Sequence, residues 1–248
     1  MAQGPQFSLQ DVTVVTATID IEEVRAYRSQ TSRGLQSIQA PTYQRMETDF
    51  SLGLPDHELD LDIAPSPRIA LHMHKPEEEI ALSAACWLWD YLRRSGAAGF
   101  LIPLSGGLDS CSTATLVFSM CREVMKALDQ GNEQVKADVQ RIAGAYESEG
   151  WLPKTAQELN ANLLETVFMG MKQQSSTETR SRAQALSAAI GSRHTDMNID
   201  AMFHAFKDTF AESTGFTPAF RSEGGGPAEN LALQNIQARS RMVTVRYV

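Results

Sequence analysis

The stretch that decides the fold lies between residues 99 and 110 and reads Gly99-Phe100-Leu101-Ile102-Pro103-Leu104-Ser105-Gly106-Gly107-Leu108-Asp109-Ser110. Its first half is a short apolar run, which is typical of a buried strand. An amphipathic helix is predicted to follow, from Ser110 to Leu128. The two consecutive glycines between them allow a tight turn and a close approach of the backbone to a ligand. The pattern therefore predicts a strand, a glycine turn and a helix in direct succession.

The glycine turn has the features of a pyrophosphate site. The free N–H groups at the start of a helix and the helix dipole favour anions, and Ser105 and Ser110 add hydroxyl donors for phosphate oxygens. Asp109 would repel a bare phosphate, so its presence indicates a bridging Mg²⁺. The alternative is an ordinary turn in which Asp109 is only an acidic residue at a helix start. Open α/β sheets bind ligands at such turns, which favours the phosphate site.

The turn is not a Walker A loop, because that motif requires Gly-x-x-x-x-Gly-Lys-Ser/Thr and no lysine occurs here. A lysine-free loop favours binding of the β- and γ-phosphates as leaving pyrophosphate. The predicted chemistry is therefore adenylation of a substrate carboxylate rather than transfer of the γ-phosphoryl group.

Outward from the turn, strands alternate with helices from Pro76 onward. Capping boxes are predicted to open two of the helices, at Thr155–Glu158 and at Ser175–Glu178. The remaining predicted strands are residues 167–171 and 195–199, and the remaining predicted helices are 132–146, 155–168, 175–191, 200–210 and 229–242. This alternation predicts an α/β fold with a mostly parallel sheet and flanking helices on both faces.

The helix before the turn is predicted to begin at Pro76, because proline suits the first helical turn and the acids at 77–79 suit a helix N-terminus. Residues that recur at helical spacing should form its buried apolar face. They are Ile80, Ala84, Trp87, Leu88 and Tyr91.

The first 75 residues show a weaker pattern. Residues 9–21 are rich in β-branched types and partly alternate apolar with polar residues, which predicts a strand; residues 22–28 are predicted to form a helical turn. From residue 29 to residue 74 the periodicity fades, and prolines interrupt it at positions 41, 55, 65 and 67. Such a stretch is typical of a connector. We expect a domain boundary here, behind the tail of a domain that begins earlier.

Composition excludes several classes of protein. The 248 residues include 22 Lys and Arg against 30 Asp and Glu, a formal net charge of −8, which argues against nucleic-acid binding. No apolar run approaches the roughly 20 residues that span a bilayer, so we expect no membrane partner. The three cysteines, Cys86, Cys111 and Cys121, suggest buried thiols in a reducing compartment. We expect a cytoplasmic protein.

Four segments carry a resemblance to a known family. The segment from Ser105 to Ser110 resembles the PP-loop of the N-type ATP pyrophosphatases. NAD synthetases, GMP synthetases and asparagine synthetases share this loop. Asn235-Ile236-Gln237-Ala238-Arg239-Ser240-Arg241-Met242 resembles the Asn-x-Gln-Ala-Arg-x-Arg-Met helix of NAD synthetases. Residues 76–91 resemble the helix before the PP-loop in the eukaryotic, glutamine-dependent form, and residues 10–28 resemble the last strands of its nitrilase-like glutaminase domain. The chain is similar to glutamine-dependent NAD synthetases throughout nearly its whole length.

The resemblance implies a domain organisation and a reaction. Residues 1–45 would be the C-terminal remnant of the nitrilase-like α/β domain, 46–75 a linker, and 76–248 an adenine-nucleotide α-hydrolase-like PP-loop domain truncated at its C-terminus. The family uses ATP to adenylate the nicotinate carboxylate of deamido-NAD, and ammonia derived from glutamine then gives NAD, AMP and pyrophosphate. Small molecules would be its substrates, and the full-length family implies a homo-oligomer.

The resemblance also implies roles for single residues. Ser105 and Asp109 would be catalytic, Asp109 would bind Mg²⁺, and Asn235 and Arg239 would contact deamido-NAD. Four residues apart on a helix, Asn235 and Arg239 share a face, and a guanidinium suits a carboxylate. ATP would contact Pro103, Leu104, Ser105, Gly106, Gly107, Leu108, Asp109 and Ser110.

Two further segments can each be interpreted in two ways. Ser175, Ser176, Glu178, Thr179 and Arg182 resemble a family stretch that would contact ATP, but a capping box accounts for part of it. Residues 224–226, three glycines, would be either a lid over the site or a linker.

The chain departs from the family at both ends. The glutaminase Cys, Glu and Lys would precede residue 1, and residues 243–248 stand where further synthetase motifs would follow. We therefore expect a partial enzyme that makes no NAD from glutamine. One alternative is not an enzyme: a catalytically inactive fragment that binds nucleotide or associates with subunits. The other alternative is a different enzyme, another PP-loop amidase such as a GMP synthetase.

Overall fold

The computed structural model of the chain describes residues 2–49, 64–144, 147–148, 150–172 and 175–245. They fall into two compact units. The first unit comprises Met1–Gln6 and Val12–Met73, and the second comprises Phe7–Asp11 and His74–Val248. Position 55, Tyr146 and the last three residues of the chain lie outside the described residues, so the predictions that concern them are not addressed by the structure.

The described residues of the first unit contain two short helices, α1 (Ile21–Arg28) and α2 (Thr31–Ile38). Helix α1 matches the predicted helical turn, and its N-cap is Asp20, whose carboxylate accepts a hydrogen bond from the backbone N–H of Glu22. Helix α2 was not predicted. The predicted strand at 9–21 is wrong: residues 9–20 are irregular. A strand requires a partner for its backbone groups, and the β-branched side chains here are exposed rather than packed on a second strand.

The second unit is built on a three-stranded parallel sheet in the order β1-β2-β3. Helices flank and connect the strands, as predicted, and the α/β class is confirmed. The elements are α3 (Pro76–Ser95), β1 (Phe100–Pro103), α4 (Leu108–Asp129), α5 (Glu133–Ile142), α6 (Ala156–Leu163), β2 (Leu164–Gly170), α7 (Thr177–Ile190), β3 (Arg193–Asn198), α8 (Asp200–Thr214), a 3-10 turn (Arg221–Glu223) and α9 (Pro227–Val245).

The central strand β2 shows why the sheet has a core on each face. Successive side chains of a strand point to opposite faces. Leu164 and Phe168 join a core with helices α3 to α7, whereas Val167 and Met169 join a second core. Leu233 of α9 lies in that second core. The sheet is therefore covered on both sides, which a parallel sheet requires.

Helix α3 begins at Pro76, as predicted, and ends at Ser95 with a left-handed C-cap at Gly96. The predicted apolar face is buried only in part: Leu88 packs against the core, but the fully buried side chains are Ala85, Trp89 and Leu92. Trp87 is 65% exposed and stacks on Tyr91, with 5.6 Å between the ring centroids. The helix carries apolar residues on two faces, and the packing against α4 decides which face is buried.

Two boundaries also differ from the prediction. Strand β2 begins at Leu164, so α6 ends five residues before the predicted limit at Phe168. The N-cap of α7 is Ser176, whose hydroxyl accepts a hydrogen bond from the N–H of Thr179, so the predicted box between Ser175 and Glu178 is wrong by one position. The predicted end of α7 at Gly191 is confirmed by its left-handed C-cap.

The segment Phe7–Asp11 is fastened to the second unit through Asp11. Its carboxylate accepts hydrogen bonds from the guanidinium of Arg93 and from the side-chain amide of Gln134, the latter at 2.9 Å. Leu9 packs against the core. The hydrogen bond from Arg93 is the main reason that the pKa of Asp11 is lowered. None of the helices in the described part of the chain combines the length and the hydropathy that a membrane span needs.

Candidate functional site

The glycine loop (Ser105–Ser110) connects the carboxyl end of β1 to the first turn of α4. The N–H of Leu104 donates to the carbonyl of Val167 (2.8 Å), which continues the β1–β2 ladder up to the start of the loop. Gly107 is the N-cap of α4 and has no capping side chain. The first N–H groups of the helix therefore remain available to an anion at the loop.

The two serines of the loop face each other. Their Oγ atoms lie 2.9 Å apart, and the hydroxyl of Ser110 also accepts a hydrogen bond from the N–H of Ser105 at 3.2 Å. The hydroxyl of Ser105 accepts a longer hydrogen bond, at 3.3 Å, from the N–H of Gly107. These contacts hold both hydroxyls inside the bend of the loop, where a bound anion could replace the contact between them.

Gly106 brings the loop against the start of α7. Its φ is +74°, a left-handed conformation that favours glycine. A Cβ atom at this position would lie 2.0 Å from the carbonyl oxygen of Thr179. The first glycine of the pair is therefore required both by its conformation and by the neighbouring backbone.

A cavity of about 390 Å³ opens beside the loop, at the carboxyl ends of β1 and β2. Open α/β sheets bind ligands at this edge. The apolar part of its wall comes from the ends of the two strands, and hydroxyls and one guanidinium form the rest. It is lined by Pro103, Leu104, Ser105, Val167, Phe168, Met169, Ser175, Ser176, Thr179 and Arg241. No carboxylate is among these lining residues.

The predicted ATP-binding residues divide into two sets in the structure. Pro103, Leu104 and Ser105 line the cavity, whereas the five that follow form the turn and the start of α4. Asp109 is exposed in the first turn of α4, and Leu108 is 83% exposed. The side chain of Leu108 therefore contributes nothing to the cavity wall, and its backbone alone could serve a ligand there.

The residues after β2 that were predicted to contact ATP also fall into two sets, one that lines the cavity and one that does not. Ser175, Ser176 and Thr179 line the same cavity as Ser105. The hydroxyl of Ser175 accepts a hydrogen bond from the N–H of Met171 at 2.9 Å, which shapes the turn between β2 and α7. Glu178 and Arg182 lie outside the cavity lining and approach each other to 3.9 Å on the exposed surface of α7.

The predicted substrate residues of α9, Asn235 and Arg239, are exposed and do not line this cavity. The structure brings Arg241 there instead, and its Nε donates to the carbonyl oxygen of Met169 at 3.2 Å. Burial lowers the pKa of Arg241. Sequence reasoning missed this residue, although it belongs to the Asn-x-Gln-Ala-Arg-x-Arg motif, because the contact joins two distant segments.

The segment before α9 is tied down by the first turn of that helix. The carboxylate of Glu229 accepts hydrogen bonds from the N–H groups of Gly226 and Ala219, both at 3.0 Å, and these bonds lower the pKa of Glu229. Asn230 accepts a hydrogen bond from the N–H of Arg221 at 3.1 Å. The glycines at 224–226 are thus fastened to α9 on both sides, which favours the interpretation as a connection rather than a lid.

The chain is similar to a known family of proteins. A family model described as NAD synthase matches residues 82–248. A relative from Schizosaccharomyces pombe is 55% identical over 98% of this chain and 34% of its own length. The glutamine-dependent NAD(+) synthetase of Homo sapiens is 49% identical over 98% of this chain and 33% of its own length. The chain thus spans about a third of the length of these curated relatives.

A solved structure gives the same result for the fold. The glutamine-dependent NAD(+) synthetase from Cytophaga hutchinsonii superposes with a TM-score of 0.59 at 26% identity, covering 70% of this chain and 29% of that chain. The glycine loop alone is compatible with an NAD synthetase and with a GMP synthetase. The matching family model is that of NAD synthase.

Proposed function

Because this chain belongs to the NAD synthase family, we propose that it forms the ATP-binding part of an enzyme that converts deamido-NAD to NAD. The observation that carries this proposal is the glycine loop at the N-terminus of α4, beside a cavity without carboxylates at the carboxyl edge of the sheet. Backbone N–H groups and a helix dipole suit phosphate groups, and the strand ends offer an apolar floor for a nucleoside.

The proposed reaction has two steps. A carboxylate oxygen of the nicotinate attacks the α-phosphorus of ATP, a C(O)–O–P bond forms, and pyrophosphate leaves with the electron pair of the broken bond between the α-phosphorus and the bridging oxygen. Ammonia then attacks the carboxyl carbon, AMP leaves, and the amide is formed with loss of one proton. In the first step the loop would hold the departing pyrophosphate through the hydroxyls of Ser105 and Ser110 and the backbone of Gly106 and Gly107.

Asp109 would hold Mg²⁺ together with phosphate oxygens. The donors present fit this ion, because Mg²⁺ prefers oxygen ligands and commonly binds through one or two carboxylates plus substrate phosphates. Asp109 is exposed in the first turn of α4 and directly precedes Ser110 in the chain. When bound, the ion would neutralise charge on the pyrophosphate.

Asn235 and Arg239 would bind the second substrate. Both side chains are exposed on α9 and lie outside the cavity lining, so they are available to a ligand that is larger than the nucleotide alone. A guanidinium can pair with both oxygens of the nicotinate carboxylate. We also propose that the whole enzyme is a cytoplasmic homo-oligomer, and that residues 1–45 belong to a nitrilase-like domain joined by residues 46–75.

Equilibrium binding of nucleotides to the purified 248-residue chain tests this function. We expect ATP with Mg²⁺ to bind and inorganic pyrophosphate to compete with it. Asp109→Ala should weaken binding of magnesium-complexed ATP about tenfold or more, as expected for a lost charge-assisted contact, and should not weaken binding measured in EDTA. Asp208→Ala, which removes an exposed acid on α8, is the matched control.

Two results would contradict the proposal. If the folded wild type binds neither ATP nor pyrophosphate, the loop is not a phosphate site. If Asp109→Ala and the wild type bind magnesium-complexed ATP equally, Asp109 does not hold the ion. Catalytic activity is measured by incubating the chain with ATP, deamido-NAD and either ammonium or glutamine. NAD formed with amide nitrogen from glutamine would show that this chain itself hydrolyses glutamine, against our expectation.

A further inference from the structure

Arg241 is the cation that the cavity beside the glycine loop contains. It lies in the last turns of α9, a helix whose buried residues are Leu233, Gln237 and Ser240. Its side chain is half-buried, and Nε donates to the carbonyl oxygen of Met169 at the end of β2. This hydrogen bond holds the guanidinium at the cavity that Arg241 lines together with Ser105 and Thr179.

The guanidinium has unused hydrogen-bonding capacity. It carries five N–H donors, and an arginine guanidinium stays protonated in proteins even where burial lowers its pKa. In the described ranges Nε alone has a partner, and no carboxylate lines the cavity to neutralise the charge. A half-buried cation with free donors and neighbouring hydroxyls is a site for an anion.

The position of Arg241 relative to the loop indicates which anion. In the proposed function the glycine loop binds the terminal pyrophosphate, and the strand ends at Leu104, Val167 and Phe168 carry the nucleoside. The α-phosphate then lies between these two parts. Arg241 occupies the same cavity as both, on the β2 side of the loop, and the lysine-free loop supplies no side-chain cation of its own.

We propose that Arg241 binds the α-phosphate of ATP and keeps this contact when that phosphate becomes part of the acyl-adenylate. This inference rests on the proposed function and adds a residue to it. Negative charge on the oxygens of the α-phosphate persists while its bond to the pyrophosphate breaks, so a fixed guanidinium would stabilise the first step of the reaction. The hydrogen bond to Met169 would orient it before the nucleotide arrives.

Binding of AMP and adenosine to the 248-residue chain tests this role. AMP carries only the phosphate in question, and adenosine carries none. We expect Arg241→Gln to weaken AMP and ATP about tenfold to a hundredfold, as expected for loss of a hydrogen-bonded charge pair, and to leave adenosine binding unchanged. Arg241→Lys should restore part of the loss for AMP. Arg122→Gln is the matched control, because it removes the same charge at an exposed arginine on α4.

The outcomes separate the two proposals. If wild type and Arg241→Gln bind AMP equally while ATP still binds, Arg241 does not contact the α-phosphate and the proposed function stands. If adenosine loses as much affinity as AMP, Arg241 only shapes the cavity, and the inference is wrong. If the folded wild type binds none of the three ligands, this inference and the proposed function both fail.

Discussion

Gly106 of the glycine loop packs directly against the backbone carbonyl of Thr179 at the start of α7. A Cβ atom at position 106 would lie 2.0 Å from that oxygen. The contact links the turn after β1 with the helix after β2, and both segments line or border the same cavity. The shape of the candidate site therefore depends on a residue without a side chain.

Replacement of Gly106 by alanine should destabilise the protein and disrupt the loop. The left-handed φ costs about 1–2 kcal/mol for a residue with a Cβ, and the overlap with Thr179 adds about 1–3 kcal/mol of strain. We expect the free energy of unfolding to fall by about 2–5 kcal/mol, together with loss of ATP binding. Denaturant unfolding and nucleotide titration measure the two effects.

Gly131 supplies the matched control for this variant. Its φ is +75°, almost identical to that of Gly106, but no atom lies within 4 Å of a Cβ built there. Gly131→Ala should show only the conformational cost and should bind ATP normally. Equal destabilisation by the two variants would mean that the approach to Thr179 has no energetic importance.

Leu233 anchors α9 and with it the position of Arg241. The side chain is fully buried in the second core, together with Val167 and Met169. Leu233→Ala should lower the free energy of unfolding by about 2–5 kcal/mol, because it leaves a cavity in that core. Leu231→Ala on the same helix, at a residue that is 59% exposed, should change it by less than about 0.5 kcal/mol. Similar effects of both variants in denaturant unfolding would contradict the described orientation of α9.

His194 should make the stability of the second unit sensitive to mild acid. Its Nδ1 lies 2.9 Å from Oγ1 of Thr166, and its Nε2 is buried without a partner among the described residues. Burial lowers the pKa of His194, so the unfolded chain binds the proton more readily than the native protein. The free energy of unfolding should therefore be fully retained above about pH 6.5 and should fall as the pH decreases below it.

Unfolding measured between about pH 7 and pH 5 tests this dependence. We expect His194→Asn to show a smaller decrease over that range than the wild type. His204→Asn, at an exposed histidine on α8, should follow the wild-type curve. If the curves of His194→Asn and the wild type are parallel, protonation of His194 does not control stability in this range.

The bond between Asp11 and Arg93 should fasten residues 7–11 to the rest of the second unit. Asp11→Asn and Arg93→Met should each lower the melting temperature at neutral pH, because each removes the same charge-assisted hydrogen bonds. The double variant should lose less than the sum of the two single losses. Additive losses in thermal unfolding would show that the two side chains stabilise the protein independently.

The local pattern around the glycine loop was sufficient to predict the central part of the fold. The strand, the turn and helix α4 were predicted within a few residues, because apolar runs, paired glycines and helical periodicity are local properties. The left-handed end of α7 at Gly191 was found for the same reason. The parallel sheet followed from the alternation of strands with helices.

Features that depend on distant partners were not predictable in the same way. The β-branched residues of 9–21 satisfy a strand pattern, but no pattern shows whether a second strand pairs with them. Trp87 and Trp89 have similar local surroundings, and only the packing on α4 buries Trp89. The sequence motif predicts a ligand contact for Arg239 but not for Arg241, because the contact of Arg241 with Met169 joins residues 72 positions apart.

The most direct test of the account is a crystal structure of the 248-residue chain with Mg²⁺ and a non-hydrolysable ATP analogue. We predict that the terminal phosphates lie against the backbone N–H groups of the glycine loop, that Asp109 faces the ion, and that the guanidinium of Arg241 contacts the α-phosphate. An analogue bound elsewhere on the protein, with Ser105 and Ser110 still paired to each other and the loop empty, would contradict it.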